Sequence, residues 1–113
     1  MKSRCRVELK IGKEQSRKLR VHINKKGISQ NLYVGLIISK YVYDSSIRLK
    51  CRKHLWINQR ELIGDKGHNM CFTVSTELRN EAREIASNLG IKFTTLALKL
   101  IMIEFYGKVD FKI

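Results

Sequence analysis

Between Phe93 and Tyr106 the chain reads FTTLALKLIMIEFY, apolar at almost every position and broken only by Thr94, Thr95, Lys99 and Glu104. The run suits a helix of about four turns, and a helix apolar nearly all round must be covered on most of its sides. The residues before it supply part of that cover. Met70, Phe72 and Val74 alternate with Asn69, Cys71, Thr73 and Ser75, the period of a half-buried strand. The period then switches, because Leu78, Ala82, Ile85, Ala86 and Leu89 recur at steps of three and four and share one stripe of a helix. Gly90 ends that helix, since glycine takes the positive φ of the first residue past a helix without a Cβ penalty. A strand, helix, turn, helix unit of this size, Asn69 to Gly107, cannot bury its own second helix and requires a partner of its own kind.

The partner lies in the same chain. Sliding the sequence by 63 residues without gaps lays Val7–Asp44 over Met70–Gly107, and Glu14 meets Glu77, Arg20 meets Arg83, Gly27-Ile28 meets Gly90-Ile91, Ile38 meets Ile101 and Tyr43 meets Tyr106. Val7, Leu9 and Ile11 alternate with Arg6, Glu8 and Lys10, which predicts a strand. Gly12 stands where Ser75 does, each able to precede a helix start, and Glu14 and Glu77 favour the positive end of the helix dipole. Lys13–Lys26 is then a first helix with Leu19 and Ile23 in the core and His22 half-buried. Gln30–Tyr43, with Leu32, Tyr33, Val34, Leu36, Ile37, Ile38, Tyr41 and Val42, is a second helix as apolar as its counterpart. The economical arrangement buries the two apolar helices against each other. The chain thus divides into a first unit, 1–44, a basic linker, 45–68, and a second unit, 69–113, around one shared core.

The linker could span roughly 80 Å if extended, so it is not a taut tether, and its apolar Ile47, Leu49, Leu55, Trp56, Ile57, Leu62 and Ile63 predict structure of its own. Ile47, Leu49 and Cys51 alternate like a strand, while Ile47, Cys51, Leu55 and Leu62 would share a helical face, and periodicity leaves both open. Gly64-Asp65-Lys66-Gly67 reads as a loop into the second strand, and Trp56 as a packing anchor.

Charge bears most directly on function. The chain carries 23 Lys and Arg against 10 Asp and Glu, a net +13, which points to a polyanionic partner, nucleic acid first. That excess is distributed as net +8 over 1–44, +4 over 45–68 and +1 over 69–113. Cys5, Cys51 and Cys71 are odd in number and His22, His54 and His68 form no ligand pair, so neither a disulfide scaffold nor a metal site is expected. No paired carboxylates, nucleophile with a base or phosphate-binding glycine loop marks an enzyme, and no cofactor is expected. There is no apolar run of membrane-spanning length and the start is basic, so an intracellular protein without a membrane partner is expected.

The short alternating strand, the capped helix and the Gly-x-[Ser/Thr/Asn]-x-[Ser/Thr/Asn] turn into a second helix resemble the ribbon-helix-helix fold of the MetJ and Arc class of repressors. Gly27-Ile28-Ser29-Gln30-Asn31 fits the turn; Gly90-Ile91-Lys92-Phe93-Thr94 departs from it at Lys92, leaving Thr94 or Lys92 itself as the cap. The resemblance covers residues 4–44 and 69–107, and two copies in one chain resemble the tandem regulators of this family, including those of archaeal viruses, whose place of action would be the host cytoplasm. It implies a mainly α fold with a small β ribbon: two units forming an intramolecular pseudo-dimer whose strands pair as a two-stranded antiparallel ribbon that enters the DNA major groove.

On that reading the outward strand residues face base edges, which in the major groove show a distinct pattern for each base pair. These are Arg6, Glu8 and Lys10 in the first unit and Asn69, Cys71 and Thr73 in the second. By the family's use of the second helix N-terminus as a phosphate site, Ser29, Gln30 and Asn31, and Lys92, Phe93 and Thr94, would meet the DNA backbone. Lys2, Arg4 and Lys13 flank the ribbon as further phosphate contacts. The expected function is a sequence-specific regulator of transcription, most simply a repressor; the alternative is a non-specific architectural DNA-binding protein. Pseudo-dimers would self-associate on DNA through exposed apolar residues of the linker or of the tail Val109–Ile113.

Overall fold

The computed structural model describes residues 3–56 and 66–113; Lys2 and the linker residues Ile57, Arg60, Leu62, Ile63, Gly64 and Asp65 lie outside the described residues. The element order is β1 (Arg4–Gly12), α1 (Lys13–Lys25), α2 (Gln30–Tyr43), α3 (Ser45–Arg52), β2 (Lys66–Ser75), α4 (Thr76–Asn88) and α5 (Phe93–Phe105). The architecture is mainly helical, with one two-stranded antiparallel sheet made by β1 and β2.

Both strands follow from their period of two. Val7, Leu9 and Ile11 from β1 and Met70, Phe72 and Val74 from β2 are buried on the helix side, and Arg6, Glu8, Lys10 and Asn69 are exposed on the other. The register sets Arg6 opposite Thr73, Glu8 opposite Cys71 and Lys10 opposite Asn69. β2 starts earlier than its alternation suggests. Lys66 and Gly67, expected in a loop, already belong to the strand, and Lys66 lies opposite Gly12 past an irregularity at Ile11/Gly12.

Each helix start has a physical cause. Gly12 and Ser75 are the N-caps of α1 and α4, both extended, and the Ser75 hydroxyl accepts from the Leu78 N–H at 3.2 Å. Ser29 does the same for α2 through Leu32, whereas Lys92 occupies the cap of α5 without a side-chain bond. Gly27 and Gly90 sit at φ +71° and +75°, and beyond Gly90 the Ile91 N–H returns to the Ala86 carbonyl at 3.0 Å, closing the end of α4.

The core is one cluster to which β1, β2 and all five helices contribute. α2 and α5 lie at its centre: Tyr33, Val34, Ile37 and Ile38 from the first and Leu100, Ile101, Met102 and Ile103 from the second are nearly or wholly inaccessible. Burying one such side chain is worth about 1.5–3 kcal/mol, so these two helices carry much of the stability. Leu19 and Ile23 are buried as expected, and His22 is half-buried.

The linker resolves as a helix over Ser45–Arg52. Asp44 decides its start, accepting from the Ser46 and Ile47 N–H groups at 3.0 and 3.2 Å, and Ile47, Cys51 and Leu55 turn into the core. Burial pushes the Cys51 thiol up to about 11, so it behaves as a small apolar residue. Lys99, one of the two charged residues in α5, donates to the Leu55 carbonyl and ties the end of this segment down.

Two further expectations are overturned. Trp56 is 83% exposed and is not a buried packing anchor, because the inward positions of its turn are filled by Cys51 and Leu55. The apolar tail residues Val109 and Phe111 are buried; a turn at Gly107, φ +67°, folds them back onto the core and removes them as a surface for self-association. The linker does expose an apolar residue, Leu49, at 68%.

Candidate nucleic-acid interface

The outward face of the sheet is a ladder of three cross-strand pairs, each from one residue of β1 and one of β2. Its middle rung, Glu8 opposite Cys71, joins two residues that are 63 positions apart, the same interval that relates the two halves of the sequence. The rungs on either side are therefore related by exchange: Arg6 corresponds to Asn69 and faces Thr73, while Lys10 corresponds to Thr73 and faces Asn69. All six expected base-reading residues lie together on this one face.

Four of them interact in the free protein. Arg6 lies 3.4 Å from the Glu8 carboxylate and donates to the Cys71 sulfur, also at 3.4 Å. The Cys71 sulfur first, and the Glu8 carboxylate after it, raise the pKa of Arg6. Arg4 reaches across the ribbon and donates to both the Thr73 hydroxyl and its carbonyl, the latter at 3.0 Å. These groups are solvated, and exposed ion pairs are weak, so a ligand with good acceptors can draw Arg6 and Arg4 away at small cost. Lys10 and Asn69 point outward from the third rung.

The two flanks of the ribbon differ. On the β2 side the start of α2 is bound to the strand edge: Gln30 donates to the Cys71 carbonyl at 2.6 Å, and Asn31 accepts the Thr73 N–H at 3.0 Å. These side chains hold the helix end to the ribbon, which leaves the backbone N–H groups of Gln30 and Asn31 as what α2 offers an anion. Arg4, Ser29 and Asn31 line a cleft there. On the β1 side Lys92 and Thr94 line a matching cleft with Glu8 and Lys10. Phe93, expected at the DNA backbone, instead packs against the core and is not among the residues that line that cleft. Lys13, beyond the end of the ribbon, lines a third depression with Arg17, Arg20 and His68, and Arg20 and His68 share a hydrogen bond of 3.1 Å.

The sequence marked the ribbon face by its alternation and the helix starts by their turns. It did not mark Gln30 and Asn31 as struts, because their partners are 41 and 42 positions away. Nor did it mark Arg17 and Arg20, whose only signal was their position on the outer side of α1. The arrangement is a partly basic ribbon edged by the starts of α2 and α5, with hydrogen-bonding side chains on its outward face. Among the described residues no group of three or more His, Cys, Asp or Glu comes together, and no single helix is long and apolar enough to cross a membrane. No protein-family model, curated protein or solved structure matches this chain.

Proposed function

We propose that this chain is a sequence-specific double-stranded DNA-binding regulator of transcription, most simply a repressor. In this reading its two ribbon-helix-helix units form a pseudo-dimer within one polypeptide and insert β1 and β2 into the major groove. The observation that carries it is the exposed ladder of Arg6/Thr73, Glu8/Cys71 and Lys10/Asn69. A two-stranded ribbon fits a groove about 12 Å wide, and its six side chains supply donors for guanine, an acceptor for cytosine amino groups and an amide for adenine. In this reading the clefts at the starts of α2 and α5 would receive the phosphates that border the groove.

The test is footprinting of the purified protein on the DNA upstream of its own gene, followed by competition with random duplex. A discrete protected site that random DNA displaces only at an excess of about a thousandfold or more supports the proposal. The net charge of +13 favours one other reading, a non-specific architectural protein. Random DNA competing at near-equal affinity, with a steep salt dependence, would establish that reading instead.

A further inference from the structure

At the end of α2 remote from the ribbon, the molecule has an open groove of about 600 Å³ between α3 and α4. The start of α2 is bonded to β2, and its 14 residues span about 21 Å, so a ligand in this groove and one on the ribbon would not meet. The floor is apolar, made by Tyr41, Leu55 and Ile85, and its lips are Leu49 on α3 and Leu89 after α4, 68% and 38% exposed. Tyr43 and Trp56, which flank α3 in the chain, are 61% and 83% exposed. Of the exposed apolar residues at this end, Leu49 and Leu89 line the depression itself, and exposed apolar side chains on both lips of a groove mark an interaction surface more often than scattered ones do.

The charge of the lip says what kind of partner fits. Residues 45–56 contain Arg48, Lys50, Arg52 and Lys53 and no acidic residue. Arg48 and Arg52 line the groove itself. Arg48 is steadied along it by donating to the Val42 carbonyl at 3.0 Å, and Arg52 forms no ion pair among the described residues. Asp44 is occupied as the cap of α3, and neither it nor Glu81 or Glu84 of α4 is among the residues that line the groove.

We propose that this groove docks an acidic amphipathic segment of a partner protein. Its apolar residues, spaced three and four apart on a helix, would seat between Leu49 and Leu89, and its carboxylates would pair with Arg48 and Arg52. Duplex DNA fits less well, because an apolar floor offers nothing to phosphates. A second copy fits less well, because it would bring a like basic lip on a chain of net +13 against this one. Such a site gives a DNA-bound protein a free face for another component.

Trp56, the only tryptophan, makes the proposal measurable. Its fluorescence would be followed in the full-length protein, with and without duplex DNA, during titration with a synthetic helical peptide of leucines at every third and fourth position and glutamates elsewhere. The expected result is a saturable shift, unchanged by DNA and by Arg6→Ala, with affinity reduced about tenfold or more in the surface variants Leu49→Asp and Arg52→Glu. The proposal is overturned by no saturable shift, by equal binding of peptides with lysine for glutamate or serine for leucine, or by displacement with DNA. It is equally overturned if sedimentation shows self-association that Leu49→Asp abolishes, or if nuclear Overhauser contacts place residues 57–65 of the same chain on Leu49.

Discussion

The Tyr33 phenol, on α2, donates to Glu104 Oε1, on α5, at 2.5 Å. His22 Nε2 lies 2.7 Å from the same oxygen and Lys26 Nζ 3.4 Å from the other. Shifted by 63, Glu104 corresponds to Tyr41, and His22, Tyr33 and Lys26 correspond to Ile85, Leu96 and Leu89. The core is therefore polar at one corner and apolar at the equivalent one. On the proposed two-unit reading, pairing two copies of the second unit would set Glu104 among apolar residues with no partner, a costly burial, so this cluster would favour the pairing of unlike units.

Replacing that carboxylate tests its weight. Glu104→Leu strands the Tyr33 hydroxyl and brings His22 and Lys26 together without their counter-charge, and is expected to destabilise the fold by about 2–3 kcal/mol. Tyr33→Phe, which leaves Glu104 with two partners, is expected to cost about 1–2 kcal/mol. Urea unfolding of both single variants and the double variant would show a sub-additive sum; strict additivity would mean that the two side chains do not act together.

The same cluster sets a pH dependence. Burial raises the Glu104 pKa, but the hydrogen bonds from Tyr33 and His22, with the charges of His22 and Lys26, outweigh it and hold the carboxyl below its ordinary value of 4.5. A depressed folded-state pKa means that the unfolded chain binds the proton first on acidification. The stabilisation is thus fully present above about pH 4.5 and is lost as pH falls through the lower folded-state value. Urea midpoints measured from pH 6 to pH 3 should fall for the natural protein and fall less for Glu104→Gln; parallel curves would remove Glu104 as the cause.

Where local pattern decides structure, the sequence was sufficient. α2 runs Gln30–Tyr43 as its apolar period and its Gly-x-Ser start require, and the ribbon face follows from alternation alone. Where tertiary contact decides, it was not. Ile47, Leu49 and Cys51 fit a strand, and Ile47, Cys51, Leu55 and Leu62 a helical face, until the Asp44 cap and the burial of Ile47 and Cys51 with Leu49 exposed chose the helix. Glu104 reads as one more interruption of an apolar helix because its partners lie 71, 78 and 82 positions away. Val109 and Phe111 form too short a run to reveal a period, and only the turn at Gly107 places them inside.

The two turns into α2 and α5 give a test with no contact involved. Gly27 and Gly90 have open space where a Cβ would be, at φ +71° and +75°, so an added methyl meets backbone strain and no clash. Gly27→Ala and Gly90→Ala are each expected to cost about 1–2 kcal/mol, read as lower urea midpoints with unchanged slopes. A neutral result at either position would show that the turn relaxes into another conformation.

On the proposed function, the ribbon ladder would separate base reading from electrostatic attraction. A homodimer presents the same strand twice and reads a palindrome, but here Arg6, Glu8 and Lys10 face Thr73, Cys71 and Asn69, so the proposed site is asymmetric. Arg6→Ala should weaken binding and relax discrimination at one base pair by about 1–3 kcal/mol. Asn69→Ala should relax a different position on the other side of the Glu8–Cys71 rung, with less change in salt dependence because no charge is removed. Thr73→Val keeps the shape while removing the hydroxyl that Arg4 contacts, and isolates that group from strand packing. Systematic base substitution across the footprint would measure all three. Equal losses at symmetric half-site positions for Arg6→Ala and Asn69→Ala would overturn the asymmetric site while leaving DNA binding itself intact.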